Sequence, residues 1–167
     1  MQFKEGDYIF YGSGGICRID SICEMPFEGA KEGVPYYVLH TLAEPKQVIW
    51  NPVENDKVLM RAVLTRDEAE NVLSSLTSLT PLEAPCAKLL REQYIGAMKS
   101  CDPTEWARVI HTYSVRRRAA EAKLLRVTEA ERNFHDNAIR LLAAEVALVL
   151  GATYAEAEAR IRAIDAD

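Results

Sequence analysis

The run Tyr11-Gly12-Ser13-Gly14-Gly15-Ile16 is the first stretch whose composition suggests chemistry, because clustered glycines let backbone N–H groups wrap a phosphate. That chemistry needs a helix to begin directly after the glycines, and in a P-loop a Lys followed by Ser or Thr. Neither is here: the alternating, β-branched run Ile16-Cys17-Arg18-Ile19-Asp20-Ser21-Ile22 follows instead. The glycines therefore predict a tight turn or bulge between two strands, where positive φ is used. The four cysteines (Cys17, Cys23, Cys86, Cys101) form no C-x-x-C pair and sit near no histidine cluster. They do not make a zinc set and are expected to be reduced, mostly buried thiols. His40, His111 and His135 fall in three different elements, and nothing in the spacing offers any of them a nucleophile or carboxylate partner. Ser74, Ser75 and Ser78 lie in a helical stretch without a nucleophile elbow. The reading is a protein that is not an enzyme and uses no cofactor or metal.

What remains is charge. Arg116-Arg117-Arg118, with Lys123 and Arg126 beyond, sits in a segment (86–126) holding nine basic and four acidic residues, in a chain of net charge −5. Residues 1–79 carry seven basic and twelve acidic side chains. An acidic front and a basic middle suggest two surfaces for two partners. Arginine pairs bidentately with phosphate, so the basic run is the best nucleic-acid candidate from residues alone. Two readings stay open, since three adjacent arginines fan around a helix and at most two share a face. One of them can pair with Glu121 at the surface.

The elements that would carry these residues are of two kinds. From Gly6 to Val63 short β-rich runs alternate with turn residues. They are 7–11, 16–22, 36–40, 47–50 and 59–63, with an exposed loop at 27–33. Five strands in some 60 residues, with no helix between them, predict a small antiparallel barrel, and crossover length is lacking for a βαβ unit. Strand alternation puts Trp50 opposite Ile49, the better core member, and Pro52 suits an edge strand.

From Thr65 onward the signals are helical. Thr65…Glu68, Asp102…Glu105 (with Pro103 at the first helical position), Thr128…Glu131 and Thr153…Glu156 are capping boxes. The first of these helices runs to about Leu79, with Ala69, Val72, Leu73 and Leu76 on one face. Thr80-Pro81-Leu82-Glu83-Ala84-Pro85 breaks the chain, and a helix without a strong cap follows at 86–99. Trp106, Val109, Ile110 and Tyr113 then stand at core spacing. A long stripe runs through Phe134, Ala138, Leu141, Leu142, Glu145, Leu148 and Val149 until Gly151 stops it, and Ile161 and Ile164 belong to a last short helix. The expected class is α+β: a small antiparallel Tudor/SH3-like β-barrel (1–64), a connecting helix and linker (65–85) and an α-helical bundle (86–167). No apolar run reaches the roughly 18 residues of a membrane span and no export signal is visible, so a cytoplasmic protein is expected.

The elements Phe3-x-x-Gly6-Asp7-x-Ile9-x-Tyr11, Gly15-Ile16-x-x-Ile19, Tyr36-Tyr37-Val38-Leu39, Pro52-Val53-Glu54-Asn55 and Arg61-x-Val63, in this order and spacing, resemble the CarD/CdnL family. Its N-terminal module also occurs in transcription-repair coupling factor. The resemblance implies a Tudor-like module that docks on the β subunit of bacterial RNA polymerase. It further implies a helical domain beside promoter DNA and an effect on the stability of the open complex, without sequence-specific reading. Carried onto this chain, the polymerase-binding set is Met25, Phe27, Gln47, Ile49, Trp50 and Pro52, and the DNA-binding set is Lys88, Arg91, Arg116, Arg117 and Arg118. Met25 and Trp50 stand where the family often has arginine, which implies a more apolar interface. Ala87 stands where the family carries a Trp that wedges at the edge of the opened duplex, and Leu89, Leu90 and Glu92 where it tends to be basic. A wedge needs a larger side chain than Ala87. The alternative is therefore a protein–protein adaptor that keeps the barrel and has lost promoter contact.

Overall fold

The computed structural model describes residues 3–24, 33–55 and 57–166, and the chain divides into two compact units, 1–63 and 64–167. The first unit is one antiparallel sheet of β1 (Tyr8–Tyr11), β2 (Gly15–Glu24), β3 (Pro35–Thr41), β4 (Val48–Pro52) and β5 (Met60–Ala62), in the order β4-β3-β2-β1-β5. Because successive side chains point to opposite faces, Ile9 and Tyr11, Cys17 and Ile19, and Tyr37 and Leu39 gather on one face as a buried cluster. Phe3, Ile22, Ile49, Val53, Val58 and Met60 pack against it. Ile49 and Met60 come from opposite ends of the strand order, so the sheet curls around a single core.

The curl does not close. Among the described residues β4 and β5 share no ladder, and the expected barrel is an open five-stranded sheet. β5 is three residues long and β4 ends on Pro52, which has no N–H to donate. Side chains bridge the gap instead. Asn51, buried on β4, accepts a hydrogen bond from the Tyr11 hydroxyl of β1 at 3.4 Å, and its amide nitrogen lies 3.2 Å from Met60 Sδ on β5. The glycines between β1 and β2 form a single 3-10 turn, Gly12–Gly14, ahead of Gly15 at φ 71°, ψ −144°. A Cβ on Gly14 would stand 3.0 Å from Tyr11 and 3.2 Å from Ile49, so this turn lies against the core and cradles nothing. The loop expected at 27–33, with Met25 and Phe27, lies outside the described residues apart from Gly33.

The second unit holds α1 (Arg66–Ser75, continued by a 3-10 turn at Leu76–Ser78), α2 (Ala87–Lys99), α3 (Pro103–Glu121), α4 (Glu129–Leu150) and α5 (Tyr154–Ala166). Thr65, Thr128 and Thr153 each accept the N–H three residues on, while Glu68, Glu131 and Glu156 reach back to the cap N–H. At the fourth start Asp102 accepts from Thr104 N–H at 2.8 Å, but Glu105 turns to Arg108 and the box stays half made. Trp106, Val109 and Ile110 of α3, Ala138, Ile139, Leu142 and Val146 of α4, and Ile161 of α5 are essentially fully buried. Gly151 ends α4 in the left-handed region. α1 packs inside this unit. Glu145, fully buried on α4, accepts the Leu64 N–H at 2.8 Å, Arg66 donates to Leu150 O, and Glu70 meets Arg160 at 2.6 Å. Among the described residues no single helix is long and apolar enough to cross a membrane.

Candidate functional site

β4 is an edge of the sheet, and its register on β3 pairs Leu39 with Ile49, Val38 with Trp50 and Tyr36 with Pro52. The expected polymerase-binding residues therefore separate by parity. Ile49 belongs to the core face, while Val48, Trp50 and Pro52 share the outer face and Gln47 is exposed in the turn before the strand. Val53 N–H donates to Pro35 O at 2.9 Å, which sets the phase of the ladder. By antiparallel alternation the main-chain groups of Val48, Trp50 and Pro52 then point away from β3. Proline costs no ladder bond there. Val48 is exposed and Trp50 half-buried, both apolar residues on this edge strand.

The basic residues are disposed quite differently. Lys88 and Arg91 stand exposed three residues apart on the first turns of α2, beside the exposed Ala87. Arg116, on α3, donates through Nε to the carboxylate of Glu131 at the start of α4. Arg118 donates to the carbonyl oxygen of Asp165 on α5 at 2.9 Å. Arg117 lies 3.9 Å from Glu121, the surface pair open in the sequence. Arg116 and Arg118 thus pin α3 to its neighbouring helices, while Arg117 stays on α3. Burial alone would raise the Glu131 carboxyl, but hydrogen bonds from Arg116 and Thr128 outweigh it and hold the group below the ordinary Glu range.

Two features were invisible in the spacing. His135, buried on α4, stacks on Tyr113 of α3 at 4.2 Å and bonds Asp165 through Nε2 at 3.1 Å, a partner thirty positions away. His40 at the end of β3 pairs with Asp20. Neither pair brings a nucleophile with it. None of the four cysteines is in a disulfide, but only Cys17 and Cys101 are buried, so the expectation of mostly buried thiols holds for half of them. Burial pushes the Cys17 thiol up to about 11, which keeps it protonated and inert. Among the described residues no group of His, Cys, Asp and Glu is placed to hold a metal ion.

Comparison with known proteins bears on the first unit. Residues 3–64 match the family model described as the CarD-like/TRCF RID domain. No curated protein matches the chain. The family is one of protein interaction, with RNA polymerase, in transcription. The match spans all five strands and the core they share, and it assigns the N-terminal unit to the CarD-like/TRCF RNA polymerase-interacting domain family.

Proposed function

We propose that the protein is a non-catalytic bacterial transcription regulator that docks on the β subunit of RNA polymerase and modulates the stability of the open promoter complex. The observation that carries this reading is the family match over 3–64 together with an apolar edge strand, β4, in the same unit. Strand-edge docking joins main-chain hydrogen bonds to side-chain pockets, and Val48, Trp50 and Pro52 supply the side chains. Trp50 is the anchor, with Gln47 at the rim and Met25 and Phe27 extending the contact. The curled sheet is Tudor-like in this role, and the protein works in the cytoplasm, where the polymerase is. In a pull-down with purified bacterial RNA polymerase the protein is retained, and Trp50→Ala weakens retention at least about tenfold. Absence of binding by the wild-type chain ends this reading.

The helical unit lies near upstream promoter DNA in this reading, with Lys88, Arg91 and the exposed flanks of Arg116, Arg117 and Arg118 facing phosphate. Open-complex lifetime is then sensitive to Lys88→Ala/Arg91→Ala. A second reading, an adaptor that holds polymerase without touching promoter DNA, is favoured by two observations. The Arg116 and Arg118 side chains are already engaged within the unit, and Ala87 is too small to wedge a duplex. A lifetime that the protein changes in the wild type and leaves unchanged in the double variant removes the adaptor reading.

A further inference from the structure

The loop from α3 to α4 closes α3 with a Schellman turn: Leu124 N–H donates to Glu121 O and Leu125 N–H to Ala120 O. The position that must turn left-handed in this motif is usually glycine. Here it is Leu124, at φ 56°, a backbone a γ-branched side chain adopts only under strain. The strain secures no packing, since Leu124 is 96% exposed and its neighbour Leu125 61%. Both are flanked by exposed cations, Lys123 and Arg126. Two adjacent leucines are thus held by main-chain hydrogen bonds at the tip of a helical hairpin, in a place where glycine would be easier.

We propose that Leu124-Leu125 is a second anchor, inserted into an apolar pocket with an acidic rim on the same RNA polymerase that the N-terminal unit docks to; the proposal rests on that docking reading. The size of the tip points this way. Two leucines bury far too little surface to hold a macromolecule unaided, so they act on an assembly already tethered, where a weak contact gains from high effective concentration. Charge selects the pocket. Lys123 and Arg126 beside the leucines suit acidic lips, whereas Glu121 and Glu129, a turn back on either helix, would repel a phosphate backbone entering to the same depth. A protein pocket fits better than a duplex.

The test is a fluorescence titration of the full-length chain with purified bacterial core RNA polymerase, without DNA. Leu124→Ser/Leu125→Ser is expected to bind about tenfold more weakly than wild type, and Lys123→Glu/Arg126→Glu likewise. Leu124→Gly is expected to bind more weakly too, while its melting temperature rises by a few degrees, so that lost contact is separated from lost structure. Leucine variants that bind like wild type overturn the anchor while the docking reading stands. A charge-reversed variant that binds like wild type overturns the acidic rim. A defect that emerges only once promoter DNA is added assigns the leucines to DNA and overturns the protein pocket. A wild-type dimer that the serine variant dissociates assigns the tip to a second copy and does the same. Wild type that ignores core polymerase removes docking and anchor together.

Discussion

Arg116 and Glu131 meet where α3 runs beside the start of α4, and the carboxylate also closes the α4 capping box. One acid thus serves two jobs, and removing Arg116 leaves it buried without its cation. Arg116→Ala is expected to cost about 1–2 kcal/mol at neutral pH, toward the low end because the guanidinium is half exposed. The sign of the pH dependence follows from the depressed folded value. Stability from the ionised Glu131 is complete above its unfolded value near 4.5 and is lost as pH falls through the lower folded one. Chemical denaturation of wild type and Arg116→Ala should therefore differ at pH 7 and converge as pH falls through the depressed folded value of Glu131. Equal stability at pH 7 would mean the pair is ornamental. Leu124 makes the complementary case at the other end of α3. Relief of its left-handed backbone by Leu124→Gly is worth about 1 kcal/mol, a gain in stability coupled to the loss of polymerase affinity.

At the scale of elements, what was legible in the sequence was local. Five alternating runs became five strands, and parity alone separated Ile49 from Trp50. Three of the four caps built from neighbours in sequence form in full, because a Thr and a Glu three residues apart need nothing but the helix they start. At Asp102 the Glu105 partner turns to Arg108 instead. Gly15 belongs to the same class. Its φ of 71° with ψ of −144° is a region that side chains rarely enter, so Gly15→Ala is expected to cost about 1–3 kcal/mol in thermal unfolding. A loss under a few tenths would show that the turn relaxes. What was not legible depends on elements meeting. Sheet closure turns on the length of β5, and Asn51 reads as an ordinary polar strand residue until Tyr11 and Met60 reach it across the curl. His135 finds Asp165, and Arg118 the Asp165 carbonyl, only once α5 has folded back. The arginine run misleads for the same reason: helical geometry tells that three side chains fan apart, but not that helices stand ready to receive them.

Across the whole molecule, the charge asymmetry of the sequence takes on physical form. The acidic front is a curled sheet with an apolar edge strand, followed by α1, and in the basic middle Arg116 and Arg118 are engaged by neighbouring helices. The apolar residues proposed as contacts are Val48, Trp50 and Pro52 in one unit and Leu124 and Leu125 in the other, the last two being the most exposed large apolar side chains among the described residues. In the proposed reading Lys88 and Arg91, both exposed, are the cations left for DNA, while Lys123 and Arg126 flank the leucine tip. Kinetic assays on a promoter should accordingly show a modest salt dependence, with a slope reflecting about two phosphates rather than five. A steep slope would return the arginine run to the DNA interface. The central claim, that the N-terminal unit docks on polymerase through its β4 edge, is open to one direct measurement. In isothermal titration calorimetry of the full-length protein against the purified polymerase β-subunit lobe, wild type is expected to give saturable one-to-one binding, and Trp50→Ala at least about tenfold weaker binding with its thermal stability kept. A wild-type chain that gives no binding heat, or a Trp50→Ala variant that binds as tightly as wild type, would contradict it.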